Sequence, residues 1–216
     1  YKNDEIFHAT IEVSHFGNAV LDSTKTTYTI RDEYGKIYYK EISNNRTIPV
    51  GNCIQLGEVN YPLASITSPA KLNLEVCIEG THFANDWDFW VYPAVVETNQ
   101  GNVYITDTFN EKALETLASG GNVLITAARK ITYGQGIVQQ FTPVFWNTSW
   151  FKMRPPHTTG IWVNNNHPLF KNFPTEYHSN LQWWELLNNA QVMLFSDFAY
   201  EFEPLVQSIG TWFLSR

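Results

Sequence analysis

Cysteine is nearly absent from this chain: Cys53 and Cys77 are its only thiols in 216 residues. Two are too few for a disulfide framework or a four-ligand zinc site. If both lie on sandwich strands, they either pair or stand as two buried thiols, and the sequence leaves the choice open. Charge is also scarce, at 16% of residues against about 25% in soluble proteins generally. The balance is acidic, net -7, with no basic cluster. A nucleic-acid binder needs a Lys/Arg footprint to displace counterions, so that class is excluded. No apolar run reaches the roughly 18 residues of a membrane-spanning helix. No secretion leader is visible, and a chain opening on Tyr1 rather than Met reads as a processed or excised product.

Aromatics, by contrast, are abundant, with 8 Trp, 11 Tyr and 14 Phe. A hydrophobic fraction of 44% is enough for a real core and argues against disorder. The length suits one large domain or two small ones. The aromatic excess points beyond the core, to an interface or a sugar platform.

Residues 1–94 read as all-β. His8–His15 alternates Ala9, Ile11 and Val13 against Thr10, Glu12 and Ser14. Lys25–Arg31 is β-branched and aromatic, Asp32–Gly35 is a hairpin turn, and Lys36–Lys40 returns. Gly51–Gly57 is a short strand. Lys71–Glu79 puts Leu72, Leu74, Val76 and Ile78 on one side, and Asp86–Pro93 closes the set. Six or seven short strands predict an immunoglobulin-like antiparallel β-sandwich, without the Cys–Trp–Cys pattern of antibody domains.

Residues 95–216 change character. Val103–Asp107 is an apolar strand. Asn110–Ala118 is a helix with Asn110 as N-cap, Gly120-Gly121 ends it, and Asn122–Ala128 is a second strand. Strand, helix and strand make a βαβ unit, hence a parallel sheet and an α/β domain of glutamine-amidotransferase-like (class I) or flavodoxin-like kind. Gln191–Phe195 is expected as another strand of that sheet. Residues 129–189 between them read as an irregular Trp-rich insertion, with five of the eight Trp and three of the six His.

Catalytic motifs are missing where such a fold would place them. The nucleophile of an amidotransferase is a Cys at a strand-to-helix turn, and no Cys occurs after residue 77. Ser119-Gly-Gly does not make a Gly-x-Ser-x-Gly elbow. A glycosidase needs two carboxylates about 5–9 Å apart. Asp107, Glu176, Glu185, Asp197, Glu201 and Glu203 are available, but no local motif selects two of them. His157, His167 and His178 match no compact metal-ligand spacing, so neither metal nor cofactor is expected. Trp146, Trp150, Trp183 and Trp184, with His178, combine flat apolar rings with hydrogen-bonding neighbours, and they are the candidate carbohydrate-binding residues. The competing reading is a plug that packs the insertion, or an interface to a domain outside this chain.

Several motifs occur in a fixed order: Asn85–Pro93, Val103–Asp107, Gly120–Leu124, Pro143–Asn147, His167–Phe170, Phe173-Pro174 and His178–Trp184. Together they resemble the C-terminal region of family 2 glycoside hydrolases, β-galactosidase-like proteins of gut Bacteroides-type bacteria, from about residue 7 to 207. The resemblance implies a parent with a sugar-binding jelly roll, a sandwich and a catalytic barrel carrying two glutamates. This chain would lie beyond that barrel, as an immunoglobulin-like domain and then an amidotransferase-like domain without its triad. No catalytic residue carries over. The implied role is that of a non-catalytic accessory region, partnered by the upstream barrel and secreted or periplasmic. The alternatives are a carbohydrate-binding module proper or an independent hydrolase.

Overall fold

The computed structural model describes residues 1–97, 101–127, 129–132, 137, 139, 141, 158–195 and 198–210. The chain divides into two units: Tyr1–Val96 with Lys171–Pro174, and Glu97–Phe170 with Thr175–Arg216. The tetrapeptide Lys171–Pro174 belongs with the first unit, an excursion that a single boundary near residue 94 does not express. No helix among the described residues is long and apolar enough to cross a membrane.

The first unit is built of antiparallel sheets. Strands β3 (Thr26–Asp32), β4 (Ile37–Ile42), β7 (Ala70–Ile78) and β8 (Ala84–Val91) form one sheet in the order β4-β3-β7-β8. Strand β1 (Ile6–His15) pairs with β6 (Gly51–Pro62), and β2 (Leu21–Thr24) pairs with β5 (Arg46–Ile48). Alternation drives the layering. Leu72, Leu74, Val76 and Ile78 of β7 are all buried and meet Phe7, Ile11, Leu56 and Val59 from β1 and β6 in one core. Phe7 stacks on Phe89 with centroids 4.2 Å apart, and Tyr28 donates its hydroxyl proton to the Leu56 carbonyl at 3.0 Å. Two sheets sharing one core is the arrangement of a β-sandwich.

Strands β1, β4 and β6 are longer than the sequence predicts, and two strands are new. Strand β6 runs on to Pro62, whose missing N–H is harmless at a strand end. β2 and β5 are short and polar, and Ser23 in β2 has φ +53, so no clean period of two marks that strand. The cysteines are free: Cys53 is exposed and Cys77 half-buried on the outer face of β7, so neither the disulfide nor the buried pair is realised.

The second unit opens with the βαβ element that the sequence predicts. Strands β9 (Val103–Thr106) and β10 (Asn122–Ile125) pair in parallel, joined through helix α1 (Glu111–Ala118). Asn110 caps α1 by accepting from the Ala113 N–H at 2.9 Å. The larger α/β sheet is not shown. Among the described residues β9 and β10 are the only strands in a parallel ladder, and the other sheet of this unit, β11 (Thr158–Val163) with β12 (Val206–Gly210), is antiparallel. Gln191–Phe195 is not a strand. Val192 is buried, but the segment is tied down by the Gln191 side chain, which bonds the backbone at Arg129 and Ile131. A short apolar run reads alike whether it enters a ladder or packs as irregular chain. The Trp-rich stretch is not wholly irregular either: it contains β11 and a short helix, α2 (Trp184–Asn188).

Candidate functional site

The local sequence of β11 explains which side chains reach solvent. Ile161 and Val163 are buried, and the period of two places Trp162 between them on the opposite face, 41% exposed. Before them the strand bulges, since Thr158 pairs with Gly210 but Ile161 with Ser208. Gly160 carries that bulge at φ +96, a conformation that side chains strain to adopt. A Cβ there would also meet the Ser179 hydroxyl oxygen at 2.4 Å. That hydroxyl accepts from the Ile161 N–H at 3.2 Å, so the bulge is fixed from two sides.

Two cross-strand neighbours flank Trp162. Gln207 of β12 is its ladder partner on one side. His178 is its antiparallel partner on the other. Val163 N–H donates to the Tyr177 carbonyl at 2.8 Å and Ser179 N–H to the Ile161 carbonyl at 3.0 Å. Those bonds flank the Trp162–His178 pair, which makes it the non-hydrogen-bonded kind, where side chains approach most closely. The Glu176 carboxylate lies 4.0 Å from His178 Nε2 and accepts from the Asn180 amide at 3.4 Å. The result is a half-exposed indole flanked in one row by an imidazole and a primary amide, with a carboxylate beside the imidazole.

The sequence-nominated residues fare differently. His178 is in this row. Trp183 is not available as a platform: it is 8% exposed, donates its indole N–H to the Thr175 hydroxyl at 2.8 Å and meets Phe170 edge-on. Trp184, on α2, is 51% exposed and edge-on to Phe141 at 5.4 Å. Trp146 and Trp150 lie outside the described residues. Sequence reasoning did not single out Trp162 or Gln207. The signal for Trp162 was present in Gly160-Ile-Trp-Val163, where a Trp between two aliphatics on a short strand faces away from them. Nothing local marks Gln207, which only the ladder brings alongside.

No group of three or more His, Cys, Asp or Glu that could hold a metal occurs among the described residues. Near the C-terminal end of β9, Asp107 is ion-paired with Lys130, whose hydrogen bond holds its carboxyl below the usual range. Both side chains are exposed, so this is a solvated surface pair.

Residues 104–216 match a family described as a domain of unknown function, DUF8487. That is more than half of the chain. The chain belongs to this family. Residues 5–93 match a second domain of unknown function, DUF8488. No curated protein matches the chain.

Proposed function

We propose that this chain is a non-catalytic accessory region of a larger glycoside hydrolase, and that it holds carbohydrate on the outer face of β11. The observation that carries the reading is the exposed Trp162 flanked by His178 and Gln207. A pyranose ring has an apolar C–H face that stacks on an indole plane. Its hydroxyls need donors and acceptors at the ring edge, which His178, Gln207 and Glu176 supply.

The ordered motif set supports a β-galactosidase-like family 2 parent, whose upstream barrel would supply the catalytic glutamates. On this reading the sandwich is immunoglobulin-like, the βαβ unit starts an amidotransferase-like scaffold, and the parent is secreted or periplasmic. The lack of any cysteine after Cys77 fits a scaffold kept for shape or binding, because a thiolate nucleophile has no source in that half.

The test is titration of the whole chain with galactosides and plant polysaccharides, monitored by Trp fluorescence. Saturable binding is expected, with Trp162→Ala weakening it about tenfold or more, as loss of a stacking Trp does in binding sites. No response at millimolar ligand removes the binding reading. Hydrolysis of aryl glycosides by this chain, abolished by substituting one of its own acids, removes the non-catalytic one.

A further inference from the structure

Strand β8 ends the four-stranded sheet, and its inward row passes from closed core to open cleft. Val91 and Phe89 are buried. Trp87, two residues earlier on the same face and paired with the buried Leu74, is 48% exposed. A cleft of about 360 Å³ opens there, with Ile11, Leu56, Val76 and Ile78 as its floor and Trp87 and Phe83 on its wall. An opening of this size with an apolar floor is what an inserted apolar group fills.

The outward row of β8 is acidic. Asp86 lies opposite Glu75, and Asp88 opposite Asn73. Glu75 is paired with Arg31 at 2.9 Å and Asp88 with Lys71 at 2.8 Å. Asp86 takes only the Asn73 amide, at 2.6 Å, and among the described residues no cation reaches it. Like charges directly opposite on a sheet repel, and a cation on the free side of Asp86 would relieve that. The edge itself accepts backbone partners at its end, where Asn3 N–H donates to the Tyr92 carbonyl at 2.9 Å and Tyr92 N–H to the Tyr1 carbonyl at 3.0 Å. Along Ala84–Phe89 no described strand pairs with its outer side.

We propose that the edge of β8 receives an extended peptide of a partner protein in which apolar and basic side chains alternate. Adding a strand makes main-chain bonds along Ala84–Phe89, and the pleat then sorts the side chains. Those facing inward fill the cleft beside Trp87. Those facing outward stand next to Asp86 and are selected to be Lys or Arg. This reading does not depend on the carbohydrate site.

The probe is a fluorescein-labelled peptide alternating Lys and Leu, titrated into the whole chain by anisotropy. Its controls are a scrambled peptide of the same composition and an alternating Glu–Leu peptide. The alternating Lys peptide is expected to bind at least about tenfold more tightly than either control. Trp87→Ala and Asp86→Asn should each weaken it several-fold, while the far-ultraviolet circular dichroism and any galactoside response at Trp162 stay unchanged. Asp86→Asn is a surface change that keeps the fold, so it serves even if Trp87→Ala unfolds the sandwich. Equal binding of the scrambled peptide, no binding at all, unchanged affinity in Asp86→Asn, or displacement of the peptide by a galactoside would each overturn the proposal.

Discussion

At single residues, two glycines carry more of the architecture than their size suggests. Gly57 faces the Tyr28 hydroxyl, which a Cβ would meet at 2.7 Å. That hydroxyl is the buried donor to the Leu56 carbonyl. Gly57→Ala should therefore push Tyr28 off its partner and lower stability by about 1–3 kcal/mol, measured by urea denaturation. Gly160 is constrained by both space and φ, and it lies in the bulge just before Trp162. Gly160→Ala should destabilise the β11 ladder and weaken galactoside binding together, whereas Trp162→Ala should weaken binding with stability nearly unchanged. Measuring both quantities on both variants separates positioning from contact.

Tyrosines set the alkaline limit. Burial pushes the Tyr92 phenol up to about 12. Burial first, then a hydrogen bond to the Glu41 carboxylate, pushes Tyr39 to about 12 as well. A raised folded pKa means that the neutral form is favoured in the native state. The stability this gives is intact below the unfolded value of about 10 and is lost as pH climbs toward 12. Thermal melts across that window should show a falling midpoint, and Tyr92→Phe should flatten the fall. A midpoint that holds constant throughout the window would contradict the assignment.

At the scale of elements, helix α1 has only eight residues and depends on its ends. Short helices are marginal without caps or packing, and Ala113 is its one buried side chain. Asn110→Ala should cost about 1 kcal/mol and speed amide exchange in the first turn of α1, seen by hydrogen-exchange mass spectrometry. This helix was legible because Asn110, the apolar spacing and Gly120-Gly121 all act within one short stretch. The same holds for β7, whose alternation survives intact in the structure. Gln191–Phe195 departs from its sequence pattern for the complementary reason: the Gln191 side chain bonds backbone some sixty residues away, and no local pattern reports that.

For the whole molecule, each of the two units has its own set of buried apolar residues. The first has one cluster of fifteen buried hydrophobics. In the second, the buried hydrophobics among the described residues include Ala113, Ile161, Val163, Trp183, Leu187 and Val192, and Ile161, Trp183 and Leu187 line one cavity. Stability should divide along the same line. Unfolding watched by Trp fluorescence should not coincide with unfolding watched by far-ultraviolet circular dichroism. Only Trp87 and Trp90 report on the sandwich, while most of the strand among the described residues belongs to it. Superimposable transitions would show that the two units unfold as one.

The sequence by itself determined what depends on neighbours along the chain: the alternating strands, the capped helix, the parallel βαβ pair and the lack of any thiol in the second half. Tertiary structure decided which of the adjacent tryptophans Trp183 and Trp184 is buried. Trp183 sits in a segment as aromatic as any, yet it is buried on Phe170 and Thr175, while Trp184 beside it is 51% exposed. The Trp162–His178–Gln207 row spans three segments separated in sequence, and ladder register makes them neighbours. Register is a property of paired strands, so no single stretch of sequence can show it.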